Sequence, residues 1–433
     1  EKIGGWQRIS SYTFLGVCRS LWNWITLGGQ NLIGVGTTLK FYIAQGGQYY
    51  DVTPIRSTVV LTDPFTTTNL STTVLVTDAA HGCVTNDFVT FSGAGAVGGL
   101  TLNAEFQVTV INANTYNITS ASAATSSATG GGTVTAAYQL NTGLAISVPA
   151  TGWSAGAWGA GTWGNGGTND VTIRLWTQSN FGEDLIFAYR EGPICYWDAS
   201  LGVATRGTLL TDAVGASDVP TIVNSVFVSD ASRFTFAFGC NELGSATLDP
   251  MLVRWSDQEN PVLWTPSITN QAGSLRLSHG SEIVTAIQSR QEVLVWTDST
   301  LYSLQYFGAP DVWGSQLLGD NLSIASTNAV AFGAGVSYWM GTDKFYMYDG
   351  AVRTLNCDLR RFVFTDINSA QYSQIFASTS EAFNEVWWFY CSANSDAIDK
   401  YVVYNYVENI WYYGAMARTA WLDSGLRSYP LAA

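Results

Sequence analysis

Two histidines, six cysteines and 33 carboxylates are the groups in this chain that could do acid–base, nucleophilic or metal chemistry. His81 and His279 lie in different segments, His81 inside the turn-rich HGCVTND of 81–87. A histidine-based triad needs a serine or cysteine beside the ring and an acid behind it. No G-x-S-x-G elbow supplies such a nucleophile, so both histidines read as surface or loop residues. Cys18, Cys83, Cys195, Cys240, Cys357 and Cys391 are far apart, with no C-x-x-C pair. They read as reduced core residues, which suits folding in a cytoplasm. H-E-x-x-H and Asp-rich calcium loops are absent, and no metal is expected. No G-x-x-x-x-G-K-[ST] loop occurs, and the G-x-G strings have no helix after them, so no cofactor is expected. Asp257 and Glu259, in SDQENPVLW (256–264), read as caps of a turn ahead of Pro261. No catalytic residue emerges, and the chain reads as a non-enzyme.

A different kind of site does emerge. Trp153, Trp158 and Trp163 recur every five residues in TGWSAGAWGAGTWGNGGTND (151–170). That spacing matches neither the strand nor the helix period. Three tryptophans in a glycine-rich loop need something to bury them. They are the candidate partner or subunit contact; the alternative is a loop folded back over its own domain.

The elements that must carry these residues are strands. Of 433 residues, 47% are hydrophobic, 13% aromatic and only 12% charged, which excludes disorder, coiled coils and helical solenoids. The net charge of −14 argues against wrapping nucleic acid and leaves room for DNA to pass without sticking. No apolar stretch is long enough for a membrane-spanning helix. The chain opens at Glu1 rather than Met, which leaves room for a preceding segment. Short apolar runs such as FTFAF (234–238), EVLVW (292–296) and EVWWFY (385–390) alternate with Gly, Asn, Asp and Ser turns.

One pattern recurs: an apolar strand, a polar turn, then a second strand ending in aromatics. It occupies 32–54, 184–199, 233–257, 292–306, 337–350 and 385–414. After the first gap the copies fall roughly 45–60 residues apart, the spacing of propeller blades. The expected fold is all-β: a six-bladed β-propeller-like ring with an inserted small β-domain. The competing arrangement is an unclosed array of β-sandwiches. The expected division is 1–56 for the first blade, 57–145 for the inserted module, 146–170 for the Trp/Gly-rich contact loop and 171–433 for the remaining blades and closure. The module turns Thr-, Ala- and Ser-rich, with strands expected at 73–76, 88–91, 106–110 and 116–118 and a weakly specified tail from 120 to 133. It is expected to fold by itself outside the ring.

PMLVRWSDQENPVLWTP (250–266) and the stretch from Asn270 to Tyr306 resemble the tail nozzle or "stabilisation" proteins of short-tailed bacteriophages. TLKFYIAQGGQYYDVTPIR (38–56), the Trp-Gly loop and DKYVVYNYVENIWYYG (399–414) fit the same likeness, which covers nearly the whole chain outside the insert. HGCVTNDFVTFSGAG and VTVINANTYNITSASAATS resemble a small β-module embedded in phage virion proteins, departing at Asn103-Ala104 where Asn-Gly is usual. The resemblance implies a homo-hexamer below the portal and adaptor rings of a virion tail, assembled in the host cytoplasm. It also implies a channel for genomic DNA without sequence-specific binding, and a docking surface for tail fibres or spikes. No catalytic residues are known for that family, so the resemblance implies none here. The other reading is a tail-associated glycan-binding or glycan-hydrolysing propeller, since SDQENPVLW resembles the Asp-box of sialidase-like propellers. Its aspartate comes one place early and the expected glycine is missing.

Overall fold

The computed structural model describes residues 5–148, 173–427 and 429–433. Strand makes up 48% and helix 5%, as a chain without helical periodicity requires. Six four-stranded sheets follow one another along the chain, each an antiparallel meander in strict sequence order. These blades 1 to 6 span 18–51, 176–209, 223–276, 283–320, 330–355 and 376–415. First strands pack on first strands: Cys18–Ile25 on Trp176–Phe181, that on Val223–Val228, that on Ile283–Gln288, and Val330–Gly333 on Phe376–Ser380. The first strands are therefore innermost, and the architecture is the all-β propeller the repeats imply.

The blades explain the apolar runs. FTFAF, EVLVW and EVWWFY fall in the second strands of blades 3, 4 and 6, Thr235–Asn241, Val293–Thr297 and Glu385–Tyr390. Every residue of the strands Thr235–Asn241 and Val293–Thr297 is buried. A second strand has a strand on each side and a blade against each face, so no position alternates out to water.

Tryptophans fill the gaps between blades. Trp197, Trp264, Trp296, Trp339 and Trp388 are fully buried, one in each of blades 2 to 6. Several tie blades together through the indole N–H. Trp24 of blade 1 donates to Glu183 O of blade 2 at 2.8 Å, and Trp176 of blade 2 donates back to Thr37 O at 2.7 Å. Trp296 and Trp339 meet edge-on at 5.4 Å across blades 4 and 5. The approach of Trp176 explains Gly36, where a Cβ would stand 2.7 Å from the indole ring. Gly46 and Gly47 have a different reason: φ values of 59° and 84° form a two-residue hairpin that demands left-handed backbone at both positions.

Each meander sends its turns to two opposite rims. The first-to-second and third-to-fourth turns form a hairpin rim; the second-to-third turns and the links between blades form a crossover rim. Between blades 1 and 2 the crossover is replaced by nine strands, from Ile55–Thr62 to Thr133–Gln139, in one five-stranded and one four-stranded sheet. Phe65, Val76, Phe91, Tyr116, Val134 and Tyr138 belong to a core of their own between those sheets.

The ring closes without strand exchange. A two-stranded hairpin, Trp421–Leu422 with Leu431–Ala432, touches the first strands of both blade 6 and blade 1. Trp421 stacks on Trp387 of blade 6 at 5.5 Å, lies tilted against Phe389 at 5.8 Å and meets Trp6 edge-on at 5.3 Å. Arg19 of blade 1 donates to Gln374 Oε1, just ahead of blade 6, at 2.9 Å. Trp421→Ala should lower unfolding free energy by about 2–4 kcal/mol in a denaturant titration, and Trp421→Phe should recover most of it.

Candidate functional site

The residues that drew notice for their chemistry do not meet in one place. His279 is exposed at the crossover rim, its Nδ1 3.1 Å from Tyr302 Oη. His81 lies in a loop as expected, yet it is buried rather than at the surface. Its ring packs edge-on against Tyr116 at 5.0 Å. Its Nδ1 accepts from Cys83 N at 3.0 Å, so Nε2 carries the proton and donates to Asn112 O at 2.9 Å. Both ring nitrogens are engaged by backbone, which makes His81 a turn-holder. All six cysteines are buried and free. Burial pushes Cys18, Cys240 and Cys391 up to about 12 and Cys83 and Cys357 up to about 11, so these thiols stay protonated and inert near neutral pH. No group of three or more His, Cys, Asp or Glu is placed to hold a metal ion among the described residues. Trp153, Trp158 and Trp163 lie outside the described residues.

Asp257 does cap a turn. Its Oδ1 accepts from Gln258 N at 2.9 Å and from Gln271 N at 2.8 Å, while its own N donates to Leu263 O at 2.8 Å. Trp264 fills the base of that loop, its indole donating to Pro261 O at 2.8 Å and its backbone N to Ser217 O at 2.9 Å. The WSDQENPVLWTP segment is therefore a lock on the third-to-fourth loop of blade 3, with an open polar hollow beside Asp257, Glu259 and Asn270.

The most organised electrostatic site joins the inserted module to the ring, and none of its members was singled out in the sequence. Lys40, on the turn between the second and third strands of blade 1, is 3% exposed. Its Nζ donates to Asp51 Oδ2 of blade 1 at 2.7 Å and to Glu105 Oε1 of the module at 2.5 Å. Arg206 of blade 2 closes the circuit, 3.1 Å from Asp51 Oδ2 and 3.2 Å from Glu105 Oε2. Gln139 also donates to Glu105, Arg206 to Thr53 O at 2.9 Å, and Lys40 lies 4.2 Å from the centre of the Phe88 ring. Two cations and two carboxylates alternate, so the group is neutral and its polar atoms are shared among blade 1, blade 2 and the module. The only sequence signal was a lysine at the head of the apolar run KFYIA. Burial alone would raise the Asp51 carboxyl; Lys40 and Arg206 outweigh it and hold it below its ordinary 3.8.

Breaking this site from the buried side should cost most. Lys40→Ala leaves two carboxylates facing Arg206 alone and should destabilise by about 3–5 kcal/mol, the range for removing one member of a buried pair. The Asp51 carboxyl holds its proton less tightly folded than unfolded. Its stabilisation is therefore complete above pH 3.8 and lost as the pH falls through the lower folded value. The stability gap between the native chain and Asp51→Asn should be constant from about pH 5 to 7 and shrink below about pH 3.5 in urea titrations at each pH.

No protein-family model matches this chain, and no curated protein does. Among solved structures, the phage phi92 endosialidase is 12% identical over 86% of this chain, with a TM-score of 0.25, and this chain spans 52% of that protein. The computationally designed Ika8 protein is 13% identical, with 94% of this chain and 90% of that one covered and a TM-score of 0.39. Apo AztD from Citrobacter koseri is 8% identical, with 88% and 80% covered and a TM-score of 0.36. Likeness at these levels bears on neither substrate nor partner.

Proposed function

We propose that this chain is a structural subunit of a virion: the tail nozzle or hub of a short-tailed bacteriophage. Six copies enclose the distal channel through which genomic DNA is held and then released. The upper end meets the portal and adaptor rings, and the outer surface offers docking to tail fibres or spikes. The observation that carries this reading is the WSDQENPVLWTP segment. It bears the most specific sequence likeness to the nozzle family, and Asp257 and Trp264 act there as a backbone lock. A carboxylate already bonded to two backbone N–H groups is spent on structure rather than on proton transfer.

The charge agrees with the role. A chain of net charge −14 repels phosphates, so DNA slides past it without the counterion release that tight binding requires. The channel is assigned to the axis between subunits. The first strands of the six blades carry a single charged residue, Arg19, and it is buried. Trp153, Trp158 and Trp163 are the residues we assign to the contact between subunits.

A second reading, a tail-associated glycan-binding or glycan-hydrolysing propeller, draws on the polar hollow beside Asp257 and Glu259. The two separate in one pair of measurements. The nozzle reading expects native mass spectrometry to find six copies of the 46.7 kDa chain, about 280 kDa, and expects Trp153→Ala/Trp158→Ala/Trp163→Ala to leave a folded monomer. A native monomer that releases sugar from host surface glycan, and loses that activity in Asp257→Asn, would replace it.

A further inference from the structure

The two rims of the ring differ in character. On the hairpin rim, blade after blade presents a bare apolar tip: Leu27 on blade 1, Leu201 on blade 2, Ile268 on blade 3, Phe307 on blade 4, and Phe383 and Val407 on blade 6. These side chains have relative exposures of 61–104%. Among the described turns of the crossover rim, only Val214 is comparably bare. Turns normally carry polar residues, and isolated exposed apolar side chains need no explanation, but tips on five of the six blades on a single face do. Between the tips the exposed charge is predominantly negative. Exposed Asp230, Glu259, Asp311, Glu381 and Glu408 face exposed Arg233 and Arg290, and the described turns of this rim hold no lysine.

We infer that the hairpin rim is a docking face for a protein partner that offers apolar sockets set among Lys and Arg side chains. The charge selects the occupant. DNA and anionic lipid headgroups carry the same sign as the rim and are repelled. A second copy placed face to face would oppose carboxylate to carboxylate. Most of the tips are aliphatic, without the flat π-faces on which sugars stack. A basic protein surface satisfies both halves, with apolar tips filling sockets and Lys or Arg meeting the carboxylates in the surrounding ring. The inference stands whether or not the subunit is a tail nozzle.

A labelled amphipathic Leu/Lys helix of 18 residues serves as the partner mimic, with a Leu/Glu helix of the same length, a DNA duplex and phosphatidylglycerol vesicles as alternatives. Fluorescence anisotropy should show the Leu/Lys helix bound and the others not, with affinity falling as salt rises from 50 to 300 mM. The tip variant Leu27→Ser/Leu201→Ser/Ile268→Ser/Phe307→Ser should weaken binding at least tenfold. The charge variant Asp230→Asn/Glu259→Gln/Asp311→Asn should do the same. Val214→Ser/Leu243→Ser, on the other rim, should bind like the native chain. All substituted side chains are exposed, so thermal midpoints should stay within a few degrees and confirm folding. Equal binding by the tip variant overturns the inference, as does rim-dependent binding of vesicles or DNA. Concentration-dependent dimerisation in sedimentation velocity that the tip variant abolishes would overturn it in favour of a second copy.

Discussion

Indole rings wedged between blades hold this architecture together. A four-stranded sheet that is apolar on both faces cannot stay in water alone, and its neighbours must cover it. The gap between adjacent blades widens away from the axis, so large side chains are needed to fill it. Burying a tryptophan removes roughly 150–250 Å² from water, about 4–6 kcal/mol at 25 cal/mol per Å² before ordering costs. Hydrogen bonding is secondary. Trp296 is fully buried, yet its indole N–H has no partner among the described residues. Leaving that donor unsatisfied costs about 1–3 kcal/mol. Packing against Trp339 outweighs it, which shows which term decides the position.

The inserted module depends on that frame without sharing its core. Its two sheets close over their own apolar set, including Phe65, Phe91 and Tyr116. What it shares with the ring is electrostatic, through Glu105 between Lys40 and Arg206. The division has a physical reason. An apolar joint would merge the two cores and make each depend on the other for folding. Four alternating charges instead fix orientation, because a buried ammonium tolerates few geometries.

Much of the ring was legible in the sequence because its second strands are buried on both faces. FTFAF, EVLVW and EVWWFY read as sheet interior, and the six copies of the pattern they belong to gave the number of blades. Outer strands were far less visible. Gly273–Arg276 and Val352–Leu355 mix polar and apolar residues in four positions, too few to show a period. The module showed the strands at Thr73–Thr77, Phe88–Ser92 and Thr115–Thr119, whose apolar residues alternate. It concealed Ala128–Gly130, which lies inside the stretch that looked unspecified. Lys40, Asp51, Glu105 and Arg206 were invisible as a group, since only folding brings residues so distant in sequence together. His81 was placed in its loop correctly, but nothing local told that Tyr116 would cover it.

The closing hairpin has a mechanical consequence. Blades 1 to 6 are joined in series by chain crossovers, but where blade 6 returns to blade 1 no strand is shared. Among the described residues, side-chain contacts hold that joint: Trp421 between Trp387 of blade 6 and Trp6, Ala420 and Leu431 against Ile33 and Val35 of blade 1, and Arg19 against Gln374. A pull across any other joint must stretch backbone, whereas a pull across this one has only to part packed side chains and a hydrogen bond. Under load the molecule behaves as a split washer, and its slit lies beside Trp421.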